Sequence, residues 1–282
     1  MVIWIWVVGL ALAFGAVYIG WSWKPEKRKP TPKPPLYEEK NHLEISPPIK
    51  PERFTRRIHP ETNGLPRVAI VIDDLGYQKQ LTLDFIELEF PLTLSFLPQA
   101  PFSKEMVQQA FQKGKETLLH LPMEPNGFPQ TNPGPKTLLT NMSDEEILNI
   151  LKNDLDAFPQ VSGVNNHMGS RFTEDRYKIA LVLSMIKERK LFFLDSRTTP
   201  QTVILFVASQ LGVKAVQRDI FIDNNLNEEA IILQLEQLIR LAQERGFAVA
   251  CGHPYPQTLR ALKAKIPELQ DKVRLVPVSQ LF

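Results

Sequence analysis

The sequence predicts an α/β fold in which parallel strands, flanked by helices, close into a barrel. From residue 67 onward, short apolar runs alternate regularly with amphipathic stretches, which is the pattern of β/α units. Eight such runs occupy about 215 residues, and compact (β/α) barrels begin at roughly 200 residues. An open, doubly wound sheet is the alternative fold. The first strand is followed by neither a dinucleotide-binding fingerprint nor a phosphate-binding loop.

The first 23 residues predict a membrane-spanning helix. Residues 1–23 carry no charged side chain and are rich in Val, Ile, Leu, Ala and Trp, and about 20 apolar residues span a bilayer. Tryptophans at both ends of the segment resemble the aromatic belts of membrane interfaces. A cleaved signal peptide is the alternative, but Ala11-Leu12-Ala13 is a poor cleavage site. We therefore expect an uncleaved anchor.

A proline-rich linker follows the anchor. Residues 24–66 contain 10 of the 24 prolines, so they cannot bury a core and are expected to form an extended spacer. The globular domain is predicted to cover residues 67–282. Five cations, Lys24, Lys27, Arg28, Lys29 and Lys33, follow the anchor, and by the positive-inside rule they would place the domain in the cytoplasm.

The elements of the domain follow in order along the chain. The apolar runs predict strands at 68–72, 92–97, 117–121, 163–166, 191–194, 214–217, 247–250 and 273–278. Between them, amphipathic stretches predict helices at 78–88, 103–113, 143–158, 173–189, 200–211, 227–245 and 256–264. Ser143 and Glu146 form a capping box, and Thr173 is expected to cap the next helix. The connection from Pro122 to Asn141, rich in Pro, Gly and Asn, predicts a loop over one end of the barrel.

Composition excludes some classes of function. Apolar residues make up 43% of the chain and charged residues 23%, as in ordinary globular proteins. The net charge of +2 gives no indication of nucleic-acid binding. A single cysteine, Cys251, excludes an internal disulfide and a cysteine-only metal cluster.

Polar side chains follow the strands at their C-terminal ends, where barrels of this class build their ligand sites. Three of the five histidines, His120, His167 and His253, fall at such points, whereas His42 and His59 lie in the linker. Residues on different strands converge at this end although they are far apart in sequence. The polar and charged residues found there are Asp73, Asp74, His120, Asn165, Asn166, His167, Asp195, Arg218, Asp219 and His253.

Each of these residues also has a simpler structural interpretation. Asp73 and Asp74 could bind a cation and handle a proton, or merely form a turn or a helix cap. His120 could be a metal ligand or a structural histidine. Glu124 could coordinate as well, orient His120, or start the loop. Arg171 could bind an anionic group or pair with a catalytic carboxylate, and His253, which precedes a proline, could act as a general acid.

Taken together, the motifs resemble the divergent polysaccharide deacetylase family, a branch related to the NodB-like carbohydrate deacetylases. The resemblance spans about residues 67–282. It is carried by the segments VAIVIDDLG (68–76), LSFLP (94–98), HLPME (120–124), GVNNHMGS (163–170), LDS (194–196) and GHPYP (252–256).

The resemblance implies a distorted (β/α) barrel of seven or eight parallel strands and a divalent metal, usually zinc. It implies that Asp73 is the catalytic base, that Asp74 and His120 bind the metal, and that His253 is the general acid. The NodB-like relatives have a second histidine at the position of Glu124, and His167 resembles its replacement from the next strand. Asn166, Arg171, Asp195 and Glu124 are then candidates for binding substrate or for positioning the ligands.

The resemblance therefore implies a hydrolase that removes N- or O-acetyl groups from an envelope polysaccharide. Such a substrate implies a periplasmic or extracellular domain, in conflict with the charges that follow the anchor. Two alternatives remain: another metal-dependent amidase or esterase, and an inactive barrel that binds glycan or partner proteins at the envelope. No sequence feature identifies a protein partner.

Overall fold

The computed structural model describes residues 64–282. The predicted anchor, 1–23, and nearly all of the predicted linker, 24–66, lie outside the described residues. The domain contains nine strands: β1 (Arg67–Leu75), β2 (Thr93–Phe96), β3 (Glu116–Met123), β4 (Gly163–Met168), β5 (Phe192–Asp195), β6 (Ala215–Gln217), β7 (Ile220–Phe221), β8 (Phe247–Gly252) and β9 (Arg274–Leu275). Its helices are α1 (Lys79–Ile86), α2 (Ser103–Gln112), α3 (Asp144–Ala157), α4 (Arg176–Glu188), α5 (Ile204–Leu211), α6 (Glu228–Arg245) and α7 (Pro256–Lys272).

All strand pairs are parallel, and the sheet curls into an incomplete barrel. The strand order is β6-β5-β4-β3-β2-β1-β8-β7, with β9 paired to the start of β1. The two edge strands, β6 and β7, are consecutive in the chain. The link between them crosses from one edge to the other, because Arg218 N donates to Asp195 O on β5 and Asp219 N donates to Val249 O on β8. This is the predicted α/β barrel in distorted form.

Strand residues alternate between two apolar cores. Val68, Ile70 and Ile72 of β1 face outward into a large core shared with the helices. Ala69 and Val71 face inward and belong to a smaller core inside the barrel, together with Leu118, Leu194, Val249 and Cys251. The segment after α7 contributes Val276, Val278 and Leu281 to this inner core, so it closes the barrel at the N-terminal ends of the strands. The opposite end holds the polar residues.

Most predicted elements are present, with differences at particular positions. The capping box of Ser143 and Glu146 is confirmed at the start of α3. The prediction that Thr173 caps a helix is wrong: Thr173 lies in a short 3-10 turn, and Asp175 caps α4 by accepting from Tyr177 N and Lys178 N. The predicted strand 273–278 is shortened to β9, followed by a 3-10 turn, Val278–Leu281. Strand β7 was not predicted, because two residues show no periodicity.

Within residues 64–282, none of the helices combines the length and the apolar character that crossing a bilayer requires.

Candidate metal centre

A β-bulge at the end of β1 lets two consecutive aspartates face the same end of the barrel. By strand alternation Asp73 points inward, as Ala69 and Val71 do, and Asp74 would point outward. Pairing with β2 shifts between Ile72 and Leu75, so that two residues of β1 lie opposite one residue of β2. Asp74 also adopts a left-handed backbone conformation with φ of 56°. This local distortion turns the carboxylate of Asp74 inward as well.

Two histidines from neighbouring strands meet Asp74. His120 lies on β3 and His167 on β4, where His167 is in register with Pro122. The Oδ1 atom of Asp74 lies 3.0 Å from His120 Nε2 and 2.8 Å from His167 Nδ1, and the imidazole centroids are 5.0 Å apart. One ligand atom from each residue lies within 4.8 Å of the other two, and all three residues are buried. The structure therefore brings together the three predicted metal ligands.

The donor set fits a divalent cation. Despite these short distances, Asp74 Oδ1 and Oδ2, His120 Nε2 and both nitrogens of His167 have no hydrogen-bond partner among the described residues. Buried polar atoms are normally hydrogen-bonded, so atoms left without partners indicate a ligand. One carboxylate oxygen and two imidazole nitrogens are common zinc ligands, and three protein ligands leave a coordination position open, as in catalytic sites.

The charges in this cluster are strongly coupled. Burial would raise the pKa of Asp74, but the two imidazoles, His167 above all, outweigh it and hold that pKa far below its usual range. Burial would lower the pKa of His120, but the carboxylates of Asp73 and Asp74 outweigh it and raise that pKa to about 9. The buried carboxylates therefore favour positive charge at His120, and a cation bound between the ligands would meet the same preference.

Asp73 lies beside the three candidate ligands, and only one of its two carboxylate oxygens accepts a hydrogen bond from the described residues. Its Oδ1 accepts a hydrogen bond from Asn165 Nδ2 at 2.8 Å and lies 3.9 Å from His120 Nδ1. Its Oδ2 is buried and has no hydrogen-bond partner among the described residues. A carboxylate oxygen in this state can accept a proton from a group that enters the site.

His253 follows β8 and is held by Asp223. Because Gly252 pairs with Ile72, His253 is level with Asp73 at the same end of the barrel. Asp223 Oδ1 lies 2.8 Å from His253 Nδ1, and Asp223 Oδ2 accepts from His253 N at 2.5 Å and from Thr258 Oγ1 at 2.8 Å. Phe221 stacks on the imidazole with centroids 5.6 Å apart. The ring is thus fixed with Nδ1 towards Asp223.

Glu124 holds the long loop rather than the metal cluster. Its Oε2 accepts from Thr140 N at 2.6 Å and Thr140 Oγ1 at 2.7 Å, and its Oε1 lies 3.4 Å from Arg171 Nη1. Of the three roles considered for Glu124, these contacts support the one in the loop, because they join its two ends. The side chain of Arg171 is more than half exposed.

Asn166 and Asp195 brace the loops after β4 and β5. Asn166 Nδ2 donates to Met168 O, and its Oδ1 accepts from Ser196 N. Asp195 accepts from Arg197 N and Thr202 Oγ1, and burial raises the pKa of its carboxyl group. These hydrogen bonds are with neighbouring loop atoms, and a role towards substrate stays a prediction for both.

Sequence reasoning missed the roles of Asn165 and Asp223. Asn165, not Asn166, has its side chain against Asp73 and His120. Counting alternate residues back from His167 would have found it, since both must face the same side of β4. Asp223 follows the unpredicted strand β7, so no signal in the sequence marked it as a strand-end residue.

Comparison with known proteins bears on this site. A profile of the divergent polysaccharide deacetylase family matches residues 70–282. The chain belongs to the divergent polysaccharide deacetylase family. YibQ of Escherichia coli K12, an uncharacterized protein, is 34% identical over 216 residues, which cover 77% of this chain and 67% of YibQ.

Solved structures share the fold of this family member. The uncharacterized protein ATU2773 of Agrobacterium tumefaciens C58 superposes with a TM-score of 0.75 at 28% identity, covering 78% of this chain and 91% of ATU2773. The T48 deacetylase, solved with substrate, superposes with a TM-score of 0.51 at 14% identity, covering 77% of this chain and 91% of that enzyme. At this low identity the second likeness concerns the fold alone. Family and fold are therefore those of carbohydrate deacetylases.

Proposed function

We propose that this member of the divergent polysaccharide deacetylase family is a metal-dependent hydrolase that removes acetyl groups, N- or O-linked, from an envelope polysaccharide. One observation carries the proposal: ligand atoms of Asp74, His120 and His167 face one another within 4.8 Å while five of their polar atoms lack hydrogen bonds. Burying such groups unpaired is costly, and a bound cation removes the cost. Zinc is the proposed metal, because its usual ligands match this set.

The chain's own residues divide the chemistry. Asp74, His120 and His167 would hold the metal, which supplies an electrophile that activates water and polarises the acyl carbonyl. Asp73 would take the proton of the attacking water at Oδ2, which has no hydrogen-bond partner within residues 64–282. His253, with Nδ1 fixed by Asp223, presents Nε2 to protonate the leaving amine or hydroxyl. Asp73 lies near the end of β1 and His253 directly follows the neighbouring strand β8, at the end of the barrel that holds the ligands.

The location of the reaction is part of the proposal. An anchor at 1–23 and a spacer at 24–66 would hold the barrel near a membrane, and a polysaccharide substrate would place it in the periplasm or outside the cell. The basic residues after the anchor argue for the opposite orientation. Accessibility of the barrel to a protease in intact cells, compared with lysed cells, decides between the two.

The central experiment is metal analysis of the purified protein with Asp74→Ala and His167→Ala. Wild type is expected to contain about one equivalent of zinc, and loss of a ligand is expected to weaken zinc binding by at least about 100-fold, beyond the effect of a residue that only orients ligands. Asp195→Asn, a buried carboxyl group bonded to loop atoms, serves as the control for metal content. Undiminished zinc in both ligand variants would overturn the assigned site.

Activity is tested separately with acetylated oligosaccharides, peptidoglycan stem peptides and simple esters. Release of acetate from the oligosaccharides by wild type, lost in Asp73→Asn, is the expected result. Cleavage of stem peptides alone would instead support an amidase. Zinc binding without any hydrolysis would support a barrel that binds glycan without turning it over.

A further inference from the structure

Asn165 is a fully buried amide whose four hydrogen bonds are all made within the metal centre. Its Oδ1 lies 2.9 Å from His120 Nδ1 and accepts from Ser95 Oγ at 2.5 Å. Its Nδ2 donates to Asp73 Oδ1 at 2.8 Å and to Ser196 Oγ at 3.3 Å. Two acceptor positions and two donor protons are the full capacity of an amide side chain. Asn165 thus joins four strands or strand ends through one rigid group.

The chemistry of these partners fixes the direction of every bond. An ionised carboxylate only accepts hydrogen bonds, so the atom of Asn165 that faces Asp73 has to be the amide nitrogen. The oxygen of the amide then faces His120, and an oxygen accepts only from a protonated nitrogen. His120 therefore carries a proton on Nδ1. When the ring is neutral, Nε2 is left with its lone pair, and this atom lies 3.0 Å from Asp74 Oδ1.

We propose that Asn165 is a positioning residue that orients both the metal ligand His120 and the proposed base Asp73. Through its oxygen it sets the tautomer of His120 that exposes Nε2 to a metal. Through its nitrogen it holds Asp73 by Oδ1 and so leaves Oδ2 as the oxygen that receives a proton. This inference rests on the proposed function and adds to it the residue that couples metal binding to the catalytic base.

Two substitutions separate the effect on His120 from the effect on Asp73. Asn165→Leu, of similar size, removes the contacts with both residues. Asn165→Asp keeps an oxygen towards His120 and Ser95 but places a second oxygen against Asp73 Oδ1, acceptor against acceptor. Thr82→Val is the matched control, because it removes a buried side-chain hydrogen bond, to Gln78 O at 2.8 Å, on helix α1.

The first measurement is cobalt affinity, by chelator competition and by the visible absorption of the bound ion, in the full chain. Asn165→Leu is expected to bind cobalt about 10–100-fold more weakly, the usual effect of removing a group that orients a ligand. Asn165→Asp and Thr82→Val are expected to bind as wild type does. At saturating metal, turnover is expected to fall about 100-fold in both Asn165 variants. Asn165→Leu no longer holds the base Asp73, and Asn165→Asp repels it. Unchanged cobalt affinity in Asn165→Leu, or an equal loss of cobalt affinity in both Asn165 variants, would overturn the proposal.

The second measurement needs no metal. In the metal-free wild type, NMR of nitrogen-labelled histidine is expected to show a hydrogen-bonded proton on His120 Nδ1. This proton persists in Asn165→Asp and shifts upfield or exchanges away in Asn165→Leu. If wild type binds no metal but shows this pattern, the proposed function fails while the positioning contact stands. If the proton is absent from wild type, the Asn165 inference fails whatever the metal result.

Discussion

The contact between Asp223 and His253 yields a prediction at the scale of single residues. Asp223→Asn replaces an oxygen that faces His253 Nδ1 or N with an amide nitrogen, which cannot accept either bond. The imidazole then loses its fixed orientation, and we expect turnover to fall about 100-fold, a typical contribution of a proton-transfer residue. Zinc content is expected to stay at the wild-type level, because Asp223 does not contact the ligands.

A plasma-emission metal assay and initial rates on an acetylated oligosaccharide check this prediction together. Thr258→Val is the companion variant, since it removes one bond to Asp223 and leaves both contacts to His253. Wild-type turnover in Asp223→Asn would show that Asp223 does not position His253 for proton transfer.

The sequence could predict that Asp74, His120 and His167 meet, because strand ends of a parallel barrel converge whatever the details of pairing. Strand alternation, counted back from His167, would have favoured Asn165 over Asn166, but it could not show that the Asn165 amide bonds to both Asp73 and His120. It also could not assign Glu124, whose partner Thr140 lies 16 residues away at the end of an irregular loop. Side-chain contacts made by loops depend on conformations that periodicity does not encode.

At the scale of elements, the turn from β1 to α1 depends on Gly76. Its φ is 114°, and a Cβ there would lie 2.0 Å from Ser103 Oγ and 2.8 Å from Ala100 Cβ. Ser103 cannot move easily, because its hydroxyl is buried and bonds to Leu97 O at 2.6 Å. The turn directly follows the bulge that carries both aspartates.

Gly76→Ala is therefore expected to destabilise the protein more than a substitution at a glycine with free space. Gly134 is the matched control: its φ is 112°, but a Cβ there meets nothing within 4 Å. Gly134→Ala is expected to lower the free energy of unfolding by about 1–2 kcal/mol through backbone strain alone. Gly76→Ala is expected to lower the free energy of unfolding by about 1–3 kcal/mol more than Gly134→Ala does, because the added Cβ overpacks the turn. Urea denaturation of both variants checks the difference, and equal losses would contradict the steric argument.

Helix and strand boundaries show where local sequence signals were insufficient. Helix α7 was expected to end at residue 264, since Pro267 normally stops a helix, but it continues to Lys272. Ile266 and Leu269 are buried on the same face as Leu262, so packing against the barrel sustains the helix across the proline. The predicted last strand is short because residues after Leu275 enter the inner core instead of extending the sheet.

At the scale of the whole molecule, Asp154 makes stability depend on pH. This residue of α3 is buried, and among residues 64–282 only its Oδ1 has a hydrogen bond, from Gln99 Nε2 at 2.9 Å. Burial raises the pKa of Asp154 from 3.8 to about 6, although Lys136 and Gln99 partly oppose the shift. The folded chain therefore holds this proton more tightly than the unfolded chain does. That contribution to stability is complete below about pH 4 and is lost as pH rises through 6.

Asp154→Asn should remove this dependence. The variant cannot ionise, so relative to wild type it is expected to gain about 1–2 kcal/mol of stability between pH 4 and pH 7, after allowance for solvent screening. Denaturant titrations at pH 4 and pH 7 give the free energy of unfolding of both proteins, and the gap between the two proteins is compared at the two pH values. A constant offset between the two proteins would contradict the assignment of a raised pKa to Asp154.

The end of the domain bonds to the first two strands, β1 and β2. Arg67, which opens β1, bonds to Gln280 O across 213 residues of chain, and Val278 N bonds to Thr93 Oγ1 across 185 residues. Contacts between such distant segments make folding slow, since a large loop has to close first. The inner core of a nascent chain therefore stays open until the last residues of the domain, which complete it, have left the ribosome.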